Sequence, residues 1–119
     1  MYSVRVESSF AAAHFLSHYK GKCERLHGHN YRVFAYARGG SLDEGGMLLD
    51  FGELKGALRE VIGRLDHSLL NDEPSFKDDP SAERIAEYIF ARMKELLPGA
   101  PLSAVEVFET ETSMARYEP

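Results

Sequence analysis

The chain has 119 residues, 44% hydrophobic and 28% charged, with a formal net charge of −5. That size and balance suit one soluble globular domain, residues 1–119, around one core. They exclude the excess of Lys and Arg that nucleic acid or an anionic membrane requires, and apolar runs such as FAAA are far too short to cross a bilayer.

Tyr2, Val4 and Val6 alternate with Ser3, Arg5 and Glu7, the period of a strand with one buried face. This start has neither the basic residues nor the apolar stretch of a signal peptide, and the single cysteine rules out an internal disulfide and fits a reducing compartment, so a cytoplasmic protein is expected. The alternation breaks at SSFAAAHF, where a bulge or bend is expected to re-aim His14. A second strand, rich in aromatic and β-branched residues, is expected from about His29 to Ala37. Gly39, Gly40, Gly45 and Gly46 then punctuate a turn-rich connection. Phe51, Leu54, Leu58, Val61, Leu65 and Leu69 recur at helical spacing and predict a helix of about fifteen residues. Asp79 and Pro80 read as N-cap and first turn of another helix, with Ile85, Ile89, Met93 and Leu96 as its buried stripe and Leu97 to Gly99 as its end. LSAVEVFETETSMARY reads as a strand followed by a shorter one. The order predicts an α+β fold: a four-stranded antiparallel sheet with both helices on one face. Its other face and its edges need cover, which oligomerisation would provide.

The stretch CERLHGHN, residues 23–30, holds the sole cysteine and two of the five histidines. In extended backbone His27 and His29 point to the same side, and His14 ends the strand expected to pair with theirs. Three neutral imidazoles form a known zinc shell with one position open for catalysis, although paired histidines also occur on plain surfaces. Cys23 could instead close a structural site, but such sites usually draw on several cysteines. Its neighbours Lys20, Lys22 and Arg25 would favour a thiolate, which suits a nucleophile or base better than a buried hydrophobe. Asp66 and His67, in LDHSLLN, offer an oriented imidazole for proton transfer, or simply a favourable charge at the helix end. Glu109 falls in the row of Val105 and Val107, where a carboxylate needs a partner, such as the N–C–N edge of a guanine or pterin, unless it faces solvent.

With FAAAH, CERLHGHN, GMLLDFGELK, LDHSLLN, DPSAE and VFETE in this order, nearly the whole chain resembles the 6-pyruvoyl-tetrahydropterin synthase family, and within it the 6-carboxy-5,6,7,8-tetrahydropterin synthase branch. The branch follows from the three residues between Cys23 and His27, a shorter gap than the pyruvoyl branch has. The resemblance implies one Zn²⁺ per subunit on His14, His27 and His29, and a proton-transfer set of Cys23, Asp66 and His67. It also implies that Glu109 anchors the pterin, helped by Ser81, Ala82 and Glu83; Ser81 stands where many relatives have Thr and keeps the hydroxyl. Glu24, beside Cys23, is read as a loop residue, although another branch places glutamate where this one has cysteine. The implied fold is the tunnelling fold, assembled as a homohexamer of two trimers with sites between subunits. The implied reaction converts 7,8-dihydroneopterin triphosphate to 6-carboxytetrahydropterin, acetaldehyde and triphosphate, on the route to queuosine. Lys20, Lys22 or Arg25 would hold the triphosphate, and no nicotinamide or flavin is needed because the redox change is internal to the substrate. Triphosphate elimination to 6-pyruvoyl-tetrahydropterin, a silent pterin-binding zinc protein, and a zinc hydrolase that leaves Cys23 without a task are the alternatives.

Overall fold

The computed structural model describes residues 1–21 and 24–119. Its N-terminal segment is a 13-residue strand, β1 (Tyr2–His14), antiparallel to an equally long β2 (His27–Gly39). Register holds without interruption from Tyr2↔Gly39 to His14↔His27, so the bulge expected at SSFAAAHF does not form. Phe10, Ala12 and His14 extend the inward row begun by Val4 and Val6; only the polar signal lapses there, because Ala11 and Ala13 occupy the alternate positions. β2 starts two residues earlier than expected and so includes His27.

β3 (Leu102–Thr110) adds to β2 and β4 (Ser113–Tyr117) adds to β3, giving one antiparallel sheet in the order β1-β2-β3-β4. β3 and β4 lose register between Phe108 and Thr110, with Phe108↔Met114 followed by Thr110↔Ser113. Glu109 is therefore the extra residue of a bulge, a device that commonly re-aims a side chain.

α1 (Phe51–Gly63) packs mainly on β1, and α2 (Ala82–Leu96) on β3 and β4. Leu54, Leu58 and Val61 are buried as expected, but Phe51 is 57% exposed at the first turn, and Leu65 and Leu69 lie beyond the end of α1. The helix starts at Asp50, whose carboxylate accepts from Gly52 N at 2.7 Å. In α2, Ile85, Ile89 and Met93 are fully buried while Leu96 is 40% exposed. The N-cap of α2 is Ser81, two residues later than expected: its Oγ accepts from Arg84 N at 3.2 Å. Asp79 is unavailable as a cap because His18 takes both its carboxylate oxygens. Two 3-10 turns between the helices, Leu70–Asp72 and Pro74–Phe76, bury Leu70 and Phe76 in the same core.

The face of the sheet away from the helices is not bare. The Arg5 guanidinium lies 4.7 Å from the Phe34 ring centroid and Arg116 lies 4.8 Å from that of Tyr36, whose hydroxyl donates to Glu106 at 2.7 Å. Such a layer of aromatic rings under guanidinium groups shields apolar area while staying wettable.

Candidate active site

The inward rows of β1, β2 and β3 build the core as far as Phe10, Tyr31 and Val107 and then turn polar. His14 and His27 are cross-strand partners, and His29 lies two residues further on the same side of β2. The three rings pack with centroids 4.6 to 4.9 Å apart, and one ligand atom from each lies within 4.8 Å of the others. His14 is only 2% exposed.

Backbone carbonyls fix which nitrogen of His14 and of His27 carries a proton. His14 Nδ1 donates to Pro80 O at 2.9 Å, and His27 Nδ1 donates to Arg25 O at 2.7 Å. A carbonyl can only accept, so in the neutral rings both Nε2 atoms present lone pairs. Those two lone pairs face each other across 3.1 Å, while the buried His29 Nε2 has no hydrogen-bond partner among the described residues. Burial holds the His29 pKa below its ordinary value, and the neighbouring His14 and His27 act in the same direction, against the pull of Glu109 and Glu24. Two facing acceptors beside an unpartnered buried imidazole nitrogen are an unfavourable arrangement that a cation held among the three rings would relieve. Tetrahedral Zn–N bonds place ligand nitrogens about 3.3 Å apart, close to the separation of His14 and His27. The residues fit a metal ion, and the outer hydrogen bonds that orient metal-bound histidines are already in place.

Glu109 joins this group from β3, with Oε1 3.7 Å from His14 Nε2 and 30% of its side chain exposed. An open cleft of about 470 Å³ runs beside it, lined by His29, Asn30, Arg32, Phe108, Glu109 and Thr110 among others. The carboxylate therefore meets both the three-histidine cluster and open space, as expected for a residue at the end of an apolar row. Beneath the histidines, Tyr31 is fully buried and stacks on Phe10 at 4.7 Å. Its hydroxyl lacks a hydrogen-bond partner among the described residues, and burial first, then Glu109 and Glu24, push its pKa well above the ordinary phenol value.

Asp66 and His67 lie together, beyond the end of α1 rather than in its last turn. Asp66 Oδ1 accepts from Ala11 N at 2.9 Å and Oδ2 sits 3.0 Å from His67 Nδ1. The Ala11 N–H first, and then His67, hold the Asp66 carboxyl below its usual pKa. His67 has a left-handed backbone, φ 55°, and donates its N–H to Ala11 O at 2.6 Å; Ser68 O accepts from Ala13 N. The pair is thus fastened to the free edge of β1, with 83% of the His67 side chain exposed. With Nδ1 held by Asp66, Nε2 is the nitrogen that His67 can offer a partner.

Cys23 and Lys22 lie outside the described residues. Lys20 Nζ is placed over the Tyr19 ring at 5.3 Å, and Arg25 reaches the centre through its carbonyl. In the DPSAE block, Ser81 caps α2, Ala82 and Glu83 begin it, and Pro80 orients His14. Sequence reasoning missed the engagement of Asn71 with Phe15 and of Asp79 with His18. For Asn71 the only signal was its place at the end of LDHSLLN.

A family model described as 6-pyruvoyl tetrahydropterin synthase matches residues 3–119. A Synechocystis protein described as 6-carboxy-5,6,7,8-tetrahydropterin synthase is 45% identical, covering 98% of this chain and 93% of its own. A Bacillus subtilis protein of the same description is 35% identical, with coverage of 99% and 86%. The solved structure of Caenorhabditis elegans 6-pyruvoyl tetrahydropterin synthase superposes with a TM-score of 0.86 at 29% identity, covering 99% of this chain and 95% of that one. Sequence, fold and the three-histidine centre agree: the chain belongs to the 6-pyruvoyl tetrahydropterin synthase family.

Proposed function

We propose that the chain is a 6-carboxy-5,6,7,8-tetrahydropterin synthase, a lyase that converts 7,8-dihydroneopterin triphosphate and one water to 6-carboxytetrahydropterin with release of acetaldehyde and triphosphate. The observation that carries this reading is the convergence of three imidazoles beside Glu109, in a chain 45% identical to a relative of that description. Residues 1–119 act as one domain, in the cytoplasm, on the route to queuosine.

His14, His27 and His29 hold Zn²⁺, one per subunit. When bound, zinc supplies Lewis acidity to an oxygen of the substrate side chain, where negative charge develops. Glu109 accepts two N–H bonds from the amino-pyrimidine edge of the pterin and so fixes the ring in the cleft, with the segment Ser81, Ala82 and Glu83 in support. Cys23, as thiolate, takes a carbon-bound proton beside the oxygen. His67, held at Nδ1 by Asp66, takes and returns protons at Nε2 during tautomerisation and carbon–carbon cleavage. The exposure of His67 suits service to a neighbouring subunit in a hexamer of two trimers.

The test is product analysis with zinc-loaded protein and 7,8-dihydroneopterin triphosphate. Equimolar acetaldehyde and 6-carboxytetrahydropterin are expected; 6-pyruvoyl-tetrahydropterin without acetaldehyde would overturn the assignment in favour of triphosphate elimination. Cys23→Ala should keep zinc and lose turnover, whereas loss of the metal would make Cys23 a ligand.

A further inference from the structure

Asn71 closes the LDHSLLN block and takes no part in the chemistry above, yet its side chain is fully engaged. Oδ1 accepts from Phe15 N at 3.0 Å and Nδ2 donates to Phe15 O at 2.8 Å, so the amide pairs with residue 15 as a neighbouring strand would. Nδ2 also donates to Asp78 Oδ1 at 3.0 Å. Only an amide offers both the acceptor and the donors that this arrangement needs.

The residues that follow Phe15 are fastened in the same way. Ser17 N donates to Asp78 O, His18 N donates to Asp79 Oδ1 at 3.0 Å, and His18 Nδ1 lies 2.6 Å from Asp79 Oδ2. Lys77 and Asp78 both adopt left-handed backbone, φ 51° and 62°, a costly pair of conformations that turns the two aspartates toward the loop. Glu24 shuts the base: Leu16 N donates to its Oε1 at 3.1 Å, and its own N–H donates to Leu16 O at 2.8 Å. Apolar burial contributes little, since Tyr19 is 45% exposed and Leu26 64%. The described residues of the loop between β1 and β2 therefore take their path from polar contacts, chiefly to the connection between α1 and α2. In sequence, Cys23 directly precedes the Glu24 clasp.

We propose that Asn71 is a positioning residue: with Asp79 it clamps residues 15–18 of the β1–β2 loop against the connection between α1 and α2, and so fixes the path by which the chain leaves His14. The catalytic consequence rests on the reading of Cys23 under Proposed function; the clamp itself does not. Asn71→Asp keeps the shape, loses both donors and sets a second carboxylate against Asp78. In the full-length, zinc-loaded protein this variant should be nicked by trypsin within the loop, at Lys20, Lys22 or Arg25, at least about tenfold faster, because the loss of even one of these hydrogen bonds shifts the open population by about that factor. Its kcat should fall about 100-fold, as expected for a misplaced catalytic group, with KM and zinc content unchanged. Unchanged nicking, or a fall in kcat with the loop still protected, would overturn the clamp. If Asn71→Asp does not fold, Asp79→Asn decides: faster nicking in the folded variant supports the proposal and wild-type resistance refutes it. Should the wild-type protein make no carboxylated product, the functional reading fails while the proteolysis still judges the clamp.

Discussion

Zinc should raise the thermal midpoint of the protein, and the histidine variants should lose that rise for different structural reasons. An ion bound only by the folded state stabilises it by about 4 kcal/mol at a free concentration 1,000 times its Kd. For a chain of 119 residues this corresponds to roughly 15 °C. The variants separate most clearly without metal. His14→Ala deletes a side chain only 2% exposed and strips Pro80 O of its donor. A lost hydrogen bond, an unpaired buried carbonyl and the space left behind together cost about 3 kcal/mol, or roughly 10 °C. His29→Ala instead removes a buried Nε2 that has no hydrogen-bond partner among the described residues. The relief of about 1–3 kcal/mol offsets most of the lost packing, so its metal-free midpoint should lie within about 1 kcal/mol of wild type. Scanning calorimetry on chelator-treated and zinc-titrated protein measures both quantities. A zinc shift that survives in either variant would refute the three-histidine site. Equal metal-free destabilisation of the two would refute the view that His29 Nε2 is uncompensated without an ion.

Glu109→Gln should raise KM for the pterin substrate by about 30- to 100-fold, the equivalent of about 2–3 kcal/mol for charge-assisted hydrogen bonds, and leave zinc content intact; metal loss measured by atomic absorption would make Glu109 a ligand instead, which its 3.7 Å approach to His14 Nε2 makes a real test. Cys23→Ala and His67→Asn, each inactive alone, should regain part of the activity when their subunits are exchanged, and no recovery in a mixed assembly would place the thiol and imidazole in the same subunit. Acid should destabilise the metal-free protein, since His29 is held below its ordinary 6.5 and Asp78 and Asp79 below 3.8. A depressed folded-state pKa stabilises the fold above the unfolded value and loses that contribution as pH falls. Urea midpoints should therefore decline in two stages, first below about pH 6.5 and again below about pH 4; Asp79→Asn should flatten the second stage alone, and an unaltered profile would rule out its part in the linkage.

Strand parity made much of the fold and the centre legible. His27 and His29 share a side for the same reason that Tyr31, Val33 and Ala35 do, and His14 falls opposite His27 once the two long strands pair. The expected re-aiming of His14 was unnecessary, because an uninterrupted period already points it inward. Helix boundaries were less legible where a residue suited to one local role is taken by a distant partner. Asp79 has the chemistry of an N-cap, but its carboxylate goes to His18, 61 residues away, and Ser81 caps α2 in its place. Phe51 matches the apolar spacing of α1 yet sits at its exposed first turn. The orientation of the histidines was illegible for a deeper reason: it depends on the carbonyls of Pro80 and Arg25, and a backbone carbonyl has no signature in sequence.

These observations explain why the site lies where it does. The sheet runs past the cover provided by α1 and α2, so each inward row must change character as it leaves the core. Phe10 and Ala12 give way to His14, Tyr31 to His29 and His27, and Val105 and Val107 to Glu109. A bulge at Glu109 turns the last of these rows toward the histidines. The donors therefore sit on strands locked by the hydrogen bonding of the core, which limits how far they can relax when no ion is present. The close approach of the three imidazoles persists for that reason, and the same rigidity that builds the core keeps them placed where a metal ion could bind. The described residues of the loop between β1 and β2 lie beyond that rigid frame and carry little apolar anchorage, so their placement must come from elsewhere. Asn71, Asp79 and Glu24 supply it through side-chain hydrogen bonds, a weaker and more easily altered constraint. Substitutions in the strands should therefore change whether the metal binds, while substitutions in the clamp should change what the bound metal's neighbours can do.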